Sequence, residues 1–115
     1  SKMLNIYKNL LIKLGQFVRY RKNLKNHYIW NMKNITMYTG PLCNFCDAAK
    51  RLLSRNNLKY EEIDISTKDG LRDEMIKKAN GKRTIPQIFF DKYHVGGYVE
   101  LRELEKKGEL KKILE

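Results

Sequence analysis

The chain has 115 residues, 42% of them hydrophobic and 32% charged, which suits one small globular domain. No apolar run reaches the roughly 18 residues that a membrane-spanning helix needs. The net charge of +11 is uneven: residues 1–31 carry seven Lys or Arg and no acid, whereas residues 32–115 carry seventeen basic and thirteen acidic residues, a net of +4. The basic excess therefore belongs mainly to the first segment and says little about the rest.

Residues 1–31 are rich in Lys and Asn. Leu4, Tyr7, Leu11, Leu14, Phe17 and Val18 recur at helical spacing, which predicts one amphipathic helix. The polar stretch Lys22–His27 follows as a linker. Tyr7, Phe17, Tyr20, Tyr28 and Trp30 interleave with the basic residues, a mixture that suits nucleic acid or an anionic membrane surface. A helix that packs on a neighbour or on the domain itself is the favoured reading. Lys8 and Lys13 interrupt the early apolar residues and no small-residue cleavage site follows, so no signal peptide is expected. Met32 is a candidate start of the core.

From residue 32 the elements alternate. Asn34–Tyr38 is a short strand of β-forming residues, broken by Gly40-Pro41. Phe45–Asn56 is a helix with Ala48, Ala49, Leu52 and Leu53 on one face, ended by Asn56-Asn57. Tyr60–Ile65 is a second strand. Ser66 or Thr67 is the expected cap of a helix near Gly70–Ala79, which Asn80-Gly81 terminates. Gln87–Asp91 and Tyr93–Val95 form a hairpin, and Gly96-Gly97 breaks the chain. Tyr98–Lys107 is helical, with Val99, Leu101 and Leu104 facing inward. Leu110–Leu114 is a last turn or short helix. The order βαβαββαα calls for a right-handed parallel crossover followed by antiparallel strands. An α/β protein of the thioredoxin fold satisfies it: a four-stranded mixed sheet flanked by helices, here with an N-terminal helical extension.

The chain has two cysteines, Cys43 and Cys46, three residues apart. A loop that short removes little entropy from the unfolded chain, so the pair is a poor staple. Chemistry explains the spacing better, and a reducing, cytoplasmic compartment is expected. The pair sits where the first strand hands over to the first helix. Backbone N–H groups at a helix start lack partners, and the helix dipole there favours negative charge. A thiol so placed loses its proton more readily than a free one, and the thiolate attacks disulfides. Cys43, nearer the loop, is the expected nucleophile, and Cys46, one turn inside, the resolving thiol. Two alternatives remain open: a pair of small buried hydrophobes, or half of a zinc site completed by His27 and His94, whose positions match no familiar spacing.

Four ordered motifs over residues 34–114 resemble the glutaredoxin family. Tyr38-Thr39 is similar to its strand-one ending, and Cys43-Asn44-Phe45-Cys46 to its Cys-Pro-Tyr-Cys. Arg83-Thr84-Ile85-Pro86-Gln87-Ile88-Phe89 is similar to Arg-Thr-Val-Pro-Gln-Ile-Phe, and His94-Val95-Gly96-Gly97 to His-Ile-Gly-Gly. Residues 104–110 resemble the closing helices.

The resemblance implies a glutathione-dependent thiol–disulfide oxidoreductase that reduces protein disulfides and protein–glutathione mixed disulfides. It implies a cis Pro86 facing the cysteines, and a backbone at Thr84 and Ile85 that pairs with the cysteine of glutathione. Gly96 and Gly97 would allow close approach, and the N–H groups of Tyr98 and Val99 would receive the γ-glutamyl carboxylate. Arg83, Lys82 or Arg72 would meet the glycine carboxylate, with Phe45 stacked near the ligand or packing the helix start. His94 is expected to be a strand residue. Three positions depart from the family: Gly40 stands where a Lys is common, Asn44 where Pro is usual, and Val99 where Asp is common, with Glu100 a candidate substitute. Members without that proline sometimes hold a [2Fe–2S] cluster between two subunits with glutathione. The alternative reading is therefore a cluster carrier or sensor with Cys43 as ligand, dimeric when loaded and otherwise monomeric.

Overall fold

The structure, a computed structural model, describes residues 32–115. The helix, linker and docking expectations for residues 1–31 lie outside the described residues, as does His27.

Four strands and four helices follow the expected order. They are β1 (Ile35–Thr39), α1 (Asn44–Arg55), β2 (Glu61–Asp64), α2 (Leu71–Lys78), β3 (Gln87–Phe90), β4 (Tyr93–Gly96), α3 (Tyr98–Lys106) and α4 (Leu110–Leu114). The sheet order is β2-β1-β3-β4, with β1 parallel to β2 and antiparallel to β3, and β3 antiparallel to β4. This is the mixed sheet of the thioredoxin fold.

Side chains alternate across a strand, so the central pair β1 and β3 reads out both faces. Met37 and its partner Ile88 are buried, and so are their neighbours Tyr38 and Phe89. Both faces are therefore covered, and the two strands are apolar nearly throughout. On one face Tyr38 and Phe89 meet edge to face, and Met75 and Ala79 close over them from α2 and the residue that ends it. Ile63, Ile65, Ile76 and Ile85 border that cluster. The Tyr38 hydroxyl donates to Glu74 Oε2 at 2.6 Å, so the buried ring keeps a polar partner. Away from this cluster, α1 packs on α3 and buries Ala49, Leu52 and Leu53, while Ala48 is only half-buried.

Polar groups tie the elements at their margins. Buried Thr39 donates to Glu62 Oε2 at 2.7 Å, and Lys50 of α1 reaches the same oxygen at 2.7 Å. The Lys33 backbone N–H donates to the Leu114 carbonyl at 2.7 Å, and its ammonium to the Ile113 carbonyl at 2.8 Å. These contacts satisfy carbonyls that the end of a helix leaves unpaired. Glu105 of α3 accepts two hydrogen bonds from Arg55, one from Asn56 and one from Arg102. It thereby binds the end of α1 to α3.

Two expectations are corrected. Ser66 and Thr67 do not cap the second helix. Both fold back on Asp64, the Ser66 N–H and hydroxyl to Oδ1 and the Thr67 hydroxyl to the carbonyl, so their oxygens serve a turn after β2. The helix starts later, behind Gly70 in the left-handed region (φ 91°). Val99 does not face inward: it is 62% exposed, while Leu101 takes the buried position and Leu104 is half-buried. The helix buries Leu101 and turns Val99, in its first turn, to solvent.

Leu52 is fully buried, so Leu52→Ala is expected to lower unfolding stability by about 2–5 kcal/mol, measured by urea denaturation. The Arg55 guanidinium, with Asn56 and Arg102, holds the Glu105 carboxyl down to about 2, below its unfolded value. Its stabilising effect is therefore complete above roughly pH 4.5 and lost as pH falls toward about 2. Glu105→Gln is expected to melt several degrees below wild type at neutral pH, and the two melting curves should converge as pH approaches 2.

Candidate functional site

The end of β1 leads into a tight passage. Beyond Thr39 come Gly40, Pro41 and Leu42, and Leu42 is fully exposed in the left-handed region (φ 52°). Few non-glycine residues adopt that conformation, and here it turns the chain sharply into α1. A Cβ at Gly40 would lie 2.7 Å from Ile85 Cδ1, the movable end of a side chain, so a larger residue there would require Ile85 to turn aside.

Cys43 is the N-cap of α1. Its Sγ accepts the Cys46 N–H at 3.1 Å, the role an Asp or Ser oxygen usually plays. The first intrahelical bond runs from the Asp47 N–H to the Cys43 carbonyl. A sulfur at this position receives both an unpaired N–H and the positive end of a 12-residue helix. The two cysteines form a disulfide, with Cα atoms 5.2 Å apart. Cys46 is 1% exposed, whereas Cys43 is only half-buried. An incoming sulfur can therefore reach Cys43 and not Cys46.

Two further segments converge on Cys43. The Ile85–Pro86 peptide is cis, and the Ile85 carbonyl oxygen lies 3.9 Å from Cys43 Sγ. Behind it, a Cβ on Gly97 would approach the Pro86 carbonyl to 3.4 Å, so the glycine pair runs against the proline loop. Gly96 needs its freedom doubly: its φ is 117°, and a Cβ there would meet the Glu100 carboxyl at 2.9 Å. Cys43, Ile85, Pro86, Gly96 and Gly97 are thus brought together.

The start of α3 completes the surroundings. Glu100 Oε1 accepts the Gly97 N–H at 2.8 Å, half of a capping box. That oxygen is engaged, which limits Glu100 as the substitute for a missing Asp at Val99. The first intrahelical bond comes from the Leu101 N–H, so those of Tyr98 and Val99 precede the helical ladder. Phe45, 61% exposed, stacks on Tyr98 with centroids 6.1 Å apart and joins the first turns of α1 and α3. On the other flank Arg72 reaches the Arg83 carbonyl at 3.4 Å, which brings two of the candidate cations together, with Arg83 and Lys82 exposed.

His94 lies on β4, as expected, and stacks on Phe89 with centroids 4.8 Å apart. Burial, and then the nearby Lys82 charge, push its pKa down, and Glu100 opposes them. One residue of this region escaped the sequence reading. Gln87 is 2% exposed at the head of β3, and its amide contacts both Thr84 and His94. The available signal was a polar side chain opening an otherwise apolar strand just after a proline. Among the described residues no three His, Cys, Asp or Glu side chains are grouped as metal ligands.

Comparison with known proteins agrees with this geometry. The glutaredoxin family model matches residues 35–95, from β1 into β4. Glutaredoxin 1 of Rickettsia conorii is 46% identical over 85 residues, covering 73% of this chain and 83% of that protein. Glutaredoxin 3 of Escherichia coli K12 is 40% identical over 83 residues, covering 72% of this chain and 99% of that protein. The solution structure of a Brucella melitensis glutaredoxin superposes with a TM-score of 0.64 at 42% identity, covering 73% of this chain and 90% of that one. A buckwheat glutaredoxin–glutathione complex, 22% identical, shares the fold with a TM-score of 0.65, covering 79% of this chain and 84% of that one. A C-x-x-C pair capping the helix after β1, a cis-proline loop beside it and relatives at 40–46% identity over 83–85 residues lead to one assignment: the chain belongs to the glutaredoxin family of thiol–disulfide oxidoreductases.

Proposed function

We propose that this glutaredoxin depends on glutathione and reduces both protein disulfides and protein–glutathione mixed disulfides, with Cys43 as nucleophile and Cys46 as resolving thiol. The observation that carries the reading is the accessible Cys43 sulfur at a helix start, 3.9 Å from the Ile85 carbonyl, while Cys46 is buried.

Two glutathione thiolates first reduce the Cys43–Cys46 disulfide, leaving the dithiol and one oxidised glutathione. The Cys43 thiolate then attacks the glutathione sulfur of a mixed disulfide, and the protein thiolate departs and takes up a proton. A second glutathione thiolate attacks the glutathione sulfur held on Cys43. Oxidised glutathione leaves and the Cys43 thiolate returns. With a protein disulfide, Cys43 forms the mixed disulfide with one protein sulfur. Cys46 then attacks Cys43 Sγ, which frees the protein dithiol and re-forms the Cys43–Cys46 bond.

Glutathione would lie extended along Thr84, Ile85 and Pro86, pairing edgewise with the backbone. Its γ-glutamyl carboxylate would meet the Tyr98 and Val99 N–H groups at the start of α3. Gly96 and Gly97 admit the ligand backbone, the Phe45 ring covers it from the side, and Arg83 with Arg72 and Lys82 attracts the glycine carboxylate. The buckwheat relative was solved as a glutathione complex, which supports this class of ligand. In the cluster alternative each copy would offer its single accessible thiol, Cys43, so two copies would share the cluster. In that case Cys43 and bound glutathione would be its ligands on this side.

Cys43→Ser is expected to bring deglutathionylation of a glutathionylated peptide down to the uncatalysed rate, while Cys46→Ser keeps most of it and loses reduction of protein disulfides. Full activity of the Cys43→Ser protein would end this reading. A second check isolates the helix start. Tyr98 occupies the first position of α3 behind an extended Gly97 (ψ −160°), a setting that accepts proline. Tyr98→Pro is expected to raise KM for the glutathionylated peptide about tenfold over Tyr98→Ala, since only the proline also removes the N–H.

A further inference from the structure

The Gln87 side chain is a buried polar group that the sulfur chemistry does not use. A buried amide is costly unless its donors and acceptor are paired. Here they are: Nε2 donates to the Thr84 carbonyl at 3.0 Å and to the Thr84 hydroxyl at 3.1 Å, and Oε1 lies 2.7 Å from His94 Nε2. The Thr84 carbonyl can only accept, so the amide nitrogen must face it and the amide oxygen must face the imidazole. An amide oxygen also only accepts. His94 therefore carries a proton on Nε2, and the Phe89 ring beneath it holds the imidazole in place.

This chain of bonds ends at the loop before β3, where Arg72 also reaches the Arg83 carbonyl, Ile85 borders the core cluster and Pro86 is buried. Residues 82–86 belong to no helix or strand, so no ladder of backbone bonds holds them. The Gln87 amide stands in for one at Thr84. The next residue is Ile85, whose carbonyl lies 3.9 Å from Cys43 Sγ. A loss of the His94 bond would free the amide to rotate and leave Oε1 buried and unpaired.

We propose that His94 and Gln87 are positioning residues: His94 donates through Nε2 to Gln87, Gln87 holds Thr84, and the Ile85 backbone is thereby presented beside Cys43. Neither residue touches the substrate. The inference rests on the reading of the Thr84–Pro86 segment as the edge that binds glutathione.

The test uses the full chain, with wild type, His94→Asn and His94→Gln. A Gln amide nitrogen reaches about as far as imidazole Nε2, whereas that of Asn reaches only about as far as Nδ1. Nitrogen–proton correlation spectra of the wild type, at about pH 7.5 where the ring is neutral, are expected to place the His94 proton on Nε2. His94→Asn is expected to raise KM for a glutathionylated peptide about fivefold with kcat within about twofold, and His94→Gln to restore the wild-type KM. A merely structural role would act differently: fewer folded molecules would lower kcat and leave KM alone. A proton on Nδ1, or a wild-type KM in His94→Asn, would overturn the inference while leaving the glutathione reading intact. A wild type without glutathione-dependent activity would overturn both. The tautomer is read on the unmodified protein, so a proton on Nδ1 overturns the inference even if a variant folds poorly.

Discussion

The antiparallel pairing of β1 with β3 is the constraint on which the site depends. Tyr38 stands opposite Gln87, so the chain leaving β1 and the chain entering β3 meet at the same end of the sheet. One carries Gly40 through Cys43, the other Thr84 through Pro86. The pairing of Ile88 with Gly96 brings the end of β4, and with it the start of α3, to that same end. Three segments far apart in sequence become neighbours because their strands end together. The sulfur, the cis-proline loop and the glycine pair need no separate mechanism to find one another.

That arrangement works only if the sheet centre is rigid. Both faces of β1 and β3 are buried, and interiors packed at this density resist small displacements. The Glu62 and Glu105 carboxylates add polar ties at the margins, one joining α1 to β1 and β2, the other joining α1 to α3. Such partly exposed ion pairs contribute modestly each, and their value lies in where they act. Both hold α1, the helix whose first turn carries the reactive sulfur.

The departures from the family pattern acquire physical meaning in this setting. At Gly40 the Ile85 Cδ1 methyl lies 2.7 Å from where a Cβ would stand, so a side chain there would have to turn that methyl aside. At Asn44 the chain lacks a proline, yet the first turn is ordered by the Cys46 N–H bonding to Cys43 Sγ. At Val99 the acidic acceptor is gone, and the nearby Glu100 spends one oxygen on the Gly97 N–H. On the proposed glutathione reading, the anion-attracting part of the site would then fall to backbone N–H groups and to the Arg72–Arg83 flank.

Periodicity and breakers were enough to read every strand and helix of residues 32–115, because apolar alternation and Gly or Asn stops are local properties of a chain. The cysteine pair and the Gly96-Gly97 break were legible for the same reason, whereas the Thr84–Pro86 loop was marked only by its resemblance to the family's motif. Local reasoning failed where side chains had a choice of partners. Ser66 and Thr67 have the right chemistry to cap a helix, but Asp64 lay closer. Val99 fits an inward helical phase, but α3 buries Leu101 and leaves Val99 in solvent. Gln87 carries no sign in the sequence of what its amide will meet, since Thr84 and His94 reach it from a loop and from another strand. The amino-acid order determined the elements and the reactive groups. Only the tertiary structure decided which polar atoms pair, because a hydrogen-bond partner is chosen by distance in space and not by distance along the chain.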